Sequence, residues 1–492
     1  MRPGWLQAQW TRLGELRGWR ADAAAAGFGA LSALALPPVH ALPVLLIAVP
    51  ALLRLLDGTP GPAVAARRGF FFGLAHHILR LYWITEAILF EAARFWWLVP
   101  LAVPALAGAW VLADIAREFV ATGFPWDPWG GDWAIPGSFG TMMIQPAAWI
   151  GVDGLTLLTV LLAATPYFGR RGLRIGAAGL VLWMIAGHLR TALIIPPPQS
   201  GPPVQVVLVQ GNVPQGQKWS RDLARAIWER YLTLTRRGVA AAGPGTPVIV
   251  WPETASPVFP LDQIAPARDA IITAAGLGPN RPGAALIGSV GFAASGRPRN
   301  SLVAFGPDGI VRDTYDKWHL VPFGEFQPDW FPLPIQVVPG GGFAPGSGPK
   351  TFHLAGVPPV GPMICYEAIY SGEMVDEADR PAWLVNVTND AWFGNSSGPR
   401  QHLAQVRMRA VEEGLPLLRA ANTGISAAFD AFGHEMARLG LGKTGYLVVS
   451  LPPALPRTLF ARGGLAIPGA LAVLALALGF LVCHIKRLFS CL

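Results

Sequence analysis

The first two hundred residues carry one apolar stretch after another: roughly 23 to 36 with 39 to 56, then 69 to 90, 95 to 117, 144 to 164 and 173 to 195. A helix of ~20 mostly apolar residues crosses the hydrocarbon core of a bilayer, and in lipid a helix is one of the few structures that satisfies its own backbone polar groups. Each stretch is therefore a candidate span, and a last one runs from about 464 to 484. Between them the texture changes. From about Pro203 to Pro453, short β-branched runs alternate with polar, helix-like segments, which predicts a folded domain inserted ahead of the final helix. The expected organisation is an N-terminal transmembrane helix bundle over 1–200, a soluble domain over 203–453 and a C-terminal transmembrane helix over 464–484.

Composition agrees with a chain that is partly in lipid: 52% hydrophobic, 14% charged, with a mean hydropathy of +0.40. The net charge of +8 does not point to nucleic acid, because no basic run is interleaved with aromatics in the polar region. Many Arg and Lys residues instead flank apolar stretches, as membrane topology and attraction to anionic lipid require. Arg12, Arg17 and Arg20 place the N-terminus inside, and Lys486 with Arg487 place the C-terminus inside, so the inserted domain falls outside. Loops carrying Arg67 and Arg68, and later Arg170, Arg171 and Arg174, also read as cytoplasmic. Three apolar segments lie between those loops where an even number is needed, so the region from 69 to 164 holds one span more or fewer, or a re-entrant segment. The first apolar stretch lacks a signal-peptide cleavage context.

Of the three cysteines, Cys483 and Cys491 sit in or just beyond the last apolar segment, which leaves Cys365 as a free thiol in the inserted domain. Strands are expected over Val204–Gln210, Val248–Trp251, Ala285–Val290, Leu302–Phe305, Val360–Cys365, Trp383–Val387, Ser426–Asp430 and Tyr446–Ser450. Helices are expected over Arg221–Arg236, Ala267–Ala275 and His402–Glu413, the last with charges on one side and Leu403, Val406 and Val411 on the other. Strands covered by helices on both faces read as continuous apolar runs, and an α/β layered domain follows.

Glu253 follows Val-Ile-Val-Trp-Pro at the carboxyl end of a buried run, and Cys365 ends another in the same way. Lys317 lies in a segment dense with Tyr315, Trp318, Phe323 and Phe326. A carboxylate, an ammonium and a thiol are the parts of an acyl-transferring thiol enzyme: a base, an oxyanion partner and a nucleophile. A lysine ammonium nearby favours thiolate, and the N–H of Tyr366, after the nucleophile, is a second oxyanion donor. This chemistry needs no cofactor, and no two-His-plus-carboxylate spacing in the polar region suggests a metal site. His319 reads as a packing or hydrogen-bonding residue. Trp96, Trp97, Trp126, Trp129 and Trp133 read as interfacial belt residues, Glu86 and Glu91 as solvated boundary residues, and Arg407 and Arg409 as partners in structural ion pairs.

Five ordered motifs carry a family resemblance: Val-Trp-Pro-Glu253, Tyr-Asp-Lys317-Trp-His-Leu-Val-Pro-Phe-Gly-Glu325-Phe, Ile-Cys365-Tyr366-Glu367, Asn389-Asp-Ala-Trp392-Phe393 and Arg419-Ala-Ala-Asn422-Thr-Gly-Ile-Ser. Together with Thr122-Gly-Phe-Pro-Trp126 and the helix–domain–helix architecture, they resemble the bacterial apolipoprotein N-acyltransferase family, whose catalytic domain is nitrilase-like. The resemblance implies a multi-pass α-helical membrane domain plus an inserted α/β nitrilase-like αββα sandwich, facing the periplasm from the bacterial inner membrane. It implies transfer of an acyl chain from a phospholipid donor to the N-terminal amine of a diacylated apolipoprotein. By position Glu253 is the base, Lys317 the oxyanion partner and Cys365 the nucleophile. Glu325 orients Lys317, Tyr366 and Glu367 shape the pocket, and Trp219 lies on the substrate side. Trp392 and Phe393 have two readings from the residues themselves, the lining of an acyl entrance or a place in the core. Relative to family members the segment between Glu91 and Thr122 is short by about a helix. The competing expectations are a membrane-tethered amidase that uses the same three residues, and a non-catalytic scaffold or transporter, for which the spans lack paired repeats or an intramembrane charge cluster. A monomer is the default expectation.

Overall fold

The computed structural model describes residues 10–80, 124–328 and 342–474, apart from positions 58, 60, 127, 199, 200, 257, 258 and 473. The expected span over 95–117, most of the final one, the shortened segment before Thr122, Trp96, Trp97, Glu86, Glu91, Cys483 and Cys491 lie outside the described residues. The N-terminal part contains α1 (Gly18–Ser32), α2 (Leu45–Leu56), α3 (Pro62–Arg80), α4 (Ser138–Ile144), α5 (Ala147–Ala164) and α6 (Gly169–Leu193). Among the described residues, α5 and α6 are long and apolar enough to cross a membrane. Leu182, Ile185, Leu189 and Leu193 of α6 are exposed.

Two details of this part differ from the sequence expectation. Arg67 and Arg68 lie within α3, not in a loop: Arg67 pairs with Asp22 at 3.2 Å, and Arg68 is buried and donates to the Leu55 carbonyl. Arg170, Arg171 and Arg174 likewise open α6, because a helix that satisfies its own backbone runs on past its apolar portion. Trp126 and Trp133 are buried, not belt residues. Each indole N–H finds an inward acceptor, Gln401 Oε1 at 2.9 Å for Trp126 and Thr159 Oγ1 at 2.8 Å for Trp133.

The second part runs through β1 (Val204–Gln210), α7 (Gln215–Lys218), α8 (Ala224–Ala241), β2 (Thr246–Ser256), α9 (Ala265–Ala275), β3 (Ala284–Phe292), β4 (Pro298–Phe305), β5 (Val311–Asp316), β6 (Phe352–Leu354), β7 (Val357–Ile364), β8 (Trp383–Thr388), α10 (Gly398–Glu413), β9 (Leu417–Ala421), β10 (Ser426–Phe429), β11 (Glu435–Leu439), β12 (Gly445–Ser450) and α11 (Leu459–Gly463). The strands form two six-stranded sheets, ordered β12-β1-β2-β3-β4-β5 and β11-β10-β9-β8-β7-β6. Within each, the central pairs β1–β2, β2–β3, β7–β8 and β8–β9 are parallel and the edges antiparallel.

Strand alternation explains why both faces are apolar. Val206 and Leu208, Val248 and Val250, Leu286 and Leu302 enter the core shared with the second sheet. Their neighbours Val207 and Val209, Ile249 and Trp251, Ile287 and Val303 pack on the other face with Ile227 and Tyr231 of α8 and Ile271 of α9. On the second sheet α10 is buried on every side, which corrects the expectation of a charged outer face: Arg407, Arg409, Glu412 and Glu413 are all buried. The reason is its neighbours. Leu403 and Val406 join the sheet core, while Ala404, Met408 and Val411 join a cluster with Val152 and Leu155 of α5 and Trp183 of α6. Arg409 makes the expected ion pair, to Glu412 at 2.8 Å. Arg407 does not. It donates to the carbonyls of Gly433 (2.6 Å) and Ile135 (2.7 Å) and to Thr141 Oγ1 (2.6 Å), which ties α10 to the N-terminal part.

Candidate active site

The site forms where the inner strands of the two sheets end. β2 is longer than its apolar run: its pairing with β3 breaks between Trp251 and Ser256, and Glu253 sits in that irregularity, followed by Thr254 at φ +44°. The bulge presses on β3 so closely that a Cβ on Gly288 would lie 2.1 Å from the Pro252 carbonyl oxygen, so only glycine fits there. β7 delivers Cys365, the first residue of a 3₁₀ turn over Cys365–Ile369, with φ +53°. This strand-to-turn elbow holds a buried non-glycine residue in the left-handed region, a strained backbone of the kind that clusters at functional sites. Lys317 follows β5, and its N–H donates to the Asn300 carbonyl of β4 at 2.8 Å.

The three side chains converge on a buried cluster. Lys317 Nζ is 2.8 Å from Glu325 Oε2 and 3.6 Å from Glu253 Oε1. Asn300 Nδ2 donates to both carboxylates, at 2.6 Å to Glu253 Oε1 and 3.1 Å to Glu325 Oε1. The backbone N–H of Asn389 donates to Glu253 Oε2 at 2.7 Å. Cys365 is reached through the adjacent residue, Thr388, whose hydroxyl interacts with the thiol, and the sulfur is close enough to feel Glu253 and Lys317 electrostatically.

Burial pushes the Cys365 thiol well up, Glu253 adds to that, and Lys317 only partly opposes it. The expected thiolate-favouring role of the lysine is therefore outweighed, and the resting thiol carries its proton. Burial alone would lower the Lys317 ammonium, but Glu325, Glu253 and Cys365 together hold it above its ordinary value. A protonated thiol, a permanent ammonium and a carboxylate held by two N–H donors can together accept a proton, attack a carbonyl and stabilise the oxyanion formed.

The other expected residues divide. Glu325 contacts Lys317, and its Oε2 also accepts the Val321 N–H at 2.9 Å. Tyr366 is buried, stacked on Phe124 at 5.7 Å, with its oxygen accepting the Tyr370 hydroxyl at 3.1 Å. Glu367 does not shape a pocket wall. It is fully buried and acts as a strut: Oε1 accepts the Tyr315 hydroxyl (2.7 Å) and the Trp318 N–H (2.8 Å), and Oε2 the Ile364 N–H (2.7 Å), tying the Lys317 segment to the elbow. Burial raises its carboxyl to about 7 against those donors. Trp219 is half exposed at the end of α7, and Trp392 and Phe393 are partly buried in a 3₁₀ turn, with Phe393 edge-on to Trp126 at 5.6 Å. His319 stacks on Tyr370 at 3.7 Å and meets Glu373 at 3.2 Å, as expected of a packing and hydrogen-bonding residue.

Two site residues escaped the sequence reading. Asn300 bridges the carboxylates, and its one signal was a lone amide ahead of an apolar strand. Lys218 is buried and donates to the Glu253 carbonyl at 2.9 Å; burial lowers its ammonium to about 8 although Glu253 and Cys365 favour the charge. Its signal was its place beside Trp219.

Two stacked sheets with a buried Glu, Lys and Cys at their strand ends define a thiol enzyme of the carbon-nitrogen hydrolase class, and the Carbon-nitrogen hydrolase family model matches residues 205–458. The model of the Apolipoprotein N-acyltransferase N-terminal domain matches residues 28–107. The apolipoprotein N-acyltransferases of Rhodopseudomonas palustris and Bradyrhizobium diazoefficiens are each 35% identical to this chain, over 93% of it and 94% of their own length. The chain belongs to the apolipoprotein N-acyltransferase family. Among solved structures, an amidase from Nesterenkonia sp. is similar at 20% identity and a TM-score of 0.36, covering 53% of this chain and 93% of its own.

Proposed function

We propose that this enzyme moves a fatty acyl chain from a phospholipid, through a thioester on Cys365, to the N-terminal amine of a diacylated apolipoprotein. Family membership over nearly the whole chain favours this over hydrolysis of soluble amides. The observation that carries the residue assignment is the single buried cluster of Glu253, Lys317 and the Cys365 elbow. Glu253 takes the thiol proton as sulfur attacks the ester carbonyl; the S–C bond forms and the negative charge on oxygen meets Lys317 and the Tyr366 N–H. When the ester C–O bond breaks, the lysophospholipid leaves as an alcohol with the proton from Glu253. In the second half-reaction the lipoprotein amine attacks the thioester, Glu253 removes its proton, the C–S bond breaks and the thiol is restored.

The chain is a multi-pass inner-membrane protein whose catalytic domain lies over 203–453 and faces the periplasm. Support comes from the basic residues at both ends, the two described apolar helices and the exposed apolar face of α6. A single chain supplies Glu253, Lys317 and Cys365, so one copy suffices. Trp219, Trp392 and Phe393 stand on the substrate side.

The test is mass spectrometry of the purified protein after incubation with an acyl-labelled phospholipid. The Cys365 peptide gains one acyl mass and loses it on addition of a diacylglyceryl-cysteine peptide. Release of ammonia from soluble amides without any lipid adduct would overturn the assignment in favour of an amidase.

A further inference from the structure

We propose that His402 is a positioning residue for acyl transfer: its Nε2–H holds the carbonyl of Cys365 and so fixes the left-handed turn that carries the thiol and the Tyr366 N–H. The inference rests on the thioester reading above. His402 Nε2 lies 3.0 Å from the Cys365 oxygen, and that oxygen accepts only, so Nε2 carries the proton. A cysteine at φ +53° is not held by its own preference. Such backbone persists only where the surroundings over-determine it, and the carbonyl of the strained residue is the atom the imidazole grips.

The imidazole is itself anchored by charge. With the proton on Nε2 of a ring whose charged form burial and Arg419 disfavour, Nδ1 accepts from Arg419 Nη2 at 3.2 Å; Asp390, whose Oδ1 lies 3.0 Å from Nδ1 and accepts the Thr388 hydroxyl at 2.9 Å, holds that guanidinium through Oδ2 at 2.6 Å. Arg419 Nη1 donates to Asn386 Oδ1 at 2.6 Å, and Asn386 Nδ2 reaches the same Cys365 oxygen at 3.4 Å. Asp390, His402, Arg419 and Asn386 are all fully buried. Gly424 lets this cluster close, since a Cβ there would sit 2.2 Å from Asp390 Oδ2. An ion pair buried this deeply is costly unless fully hydrogen-bonded, and here the satisfied network ends on the nucleophile's backbone.

The same anchor reaches the base. Asn389, next to Asp390, donates its N–H to Glu253 Oε2 at 2.7 Å. One rigid cluster therefore sets both the sulfur and the carboxylate, and loosening it at His402 lowers turnover in both half-reactions, while an aromatic ring kept at 402 preserves the edge contact with Phe393 at 6.0 Å.

The experiment uses the full-length enzyme in detergent with phospholipid and a diacylglyceryl-cysteine peptide. His402→Phe fills the ring volume but has no donor; kcat falls roughly 100-fold with KM within about 3-fold, and alkylation of Cys365 by iodoacetamide slows in parallel. His402→Gln, whose amide reaches the same carbonyl, stays within about 10-fold of the parent in kcat. His402→Asn is too short to reach and behaves like the Phe variant. Should the Phe variant fail to melt cooperatively, the Gln and Asn pair decides. A Phe variant with parental kcat, a Gln variant no better than Asn, or a loss confined to KM would each overturn the proposal. Loss of the Cys365 acyl adduct already in the parent enzyme would instead overturn the thioester reading beneath it.

Discussion

Lys317 makes its shorter contact with Glu325, at 2.8 Å, and stands 3.6 Å from Glu253. The ammonium is thus anchored by Glu325, which leaves the Glu253 carboxylate to two N–H donors, Asn300 Nδ2 and the Asn389 backbone. Replacing Glu325 by Gln removes the anchor charge, and Lys317 then turns its full attraction on Glu253, which weakens that group as a base. We expect kcat to fall about 100-fold with KM little changed, and Glu325→Asp to recover part of it. A Gln variant with near-parental turnover in a phospholipid-to-peptide assay would remove Glu325 from the mechanism.

The Cys365 thiol sets up an opposition between two effects. Burial and then the Glu253 carboxylate hold its proton on, so electrostatics alone predict that Glu253→Gln makes the thiol more acidic and quicker to alkylate. If Glu253 is the base, the same change removes the proton acceptor and slows alkylation. We expect the second effect to win, with iodoacetamide labelling at pH 7 roughly 10-fold slower or more in the Gln variant. Faster labelling would assign Glu253 an electrostatic role only.

That Glu253, Lys317 and Cys365 belong to one candidate site was legible in the sequence because each closes or follows an apolar run that becomes a central strand or the segment after one. The strands that escaped notice were β5, β6, β9 and β11: β5 and β11 are polar edge strands, β6 has three residues, and β9 hides a buried Arg419 among leucines and alanines. Such strands are set by their partners, not by pattern. The same limit applies to the site. Asn300, Lys218 and His402 act through contacts 35 or more residues away, at the Glu253 side chain, the Glu253 carbonyl and the Cys365 carbonyl. No local periodicity encodes those contacts. The charged residues of α10 were misjudged because the helix is covered by α5 on the side that a soluble domain leaves to water.

Lys218 holds the carbonyl of Glu253 just ahead of the strained Thr254. Lys218→Met keeps the buried stem and removes the donor, leaving a buried acceptor without its partner. The Glu253 carboxylate then shifts relative to the sulfur. We expect about a 10-fold loss in kcat, with KM for phospholipid within about 2-fold, while Lys218→Arg, whose planar head does not fit the same space, recovers little. Parental kcat in the Met variant would make Lys218 a packing residue.

Glu412 joins the two parts of the chain at a broken helix. α5 is interrupted at Gly151, φ +69°, where a Cβ would lie 2.4 Å from the Phe460 ring, and the N–H freed at Val152 donates to Glu412 Oε1 at 2.7 Å. Ser371 Oγ donates to the same oxygen at 2.9 Å. Burial raises this carboxyl to about 7, more than Arg409 and the N–H can offset. The folded protein therefore binds the proton more tightly than the unfolded chain. Stability from Glu412 is full below its ordinary value of 4.5 and is lost as pH rises through about 7, an order-of-magnitude change of about 3 kcal/mol at most. Glu367, raised to about 7 as well, contributes with the same sign. Glu412→Gln keeps an acceptor for Val152 and Ser371 but no longer titrates, so the fall in melting temperature between pH 5 and pH 8 shrinks and the part due to Glu367 remains. Parallel pH profiles for the parent and the Gln variant would show that the carboxyl at this junction stays ionised throughout.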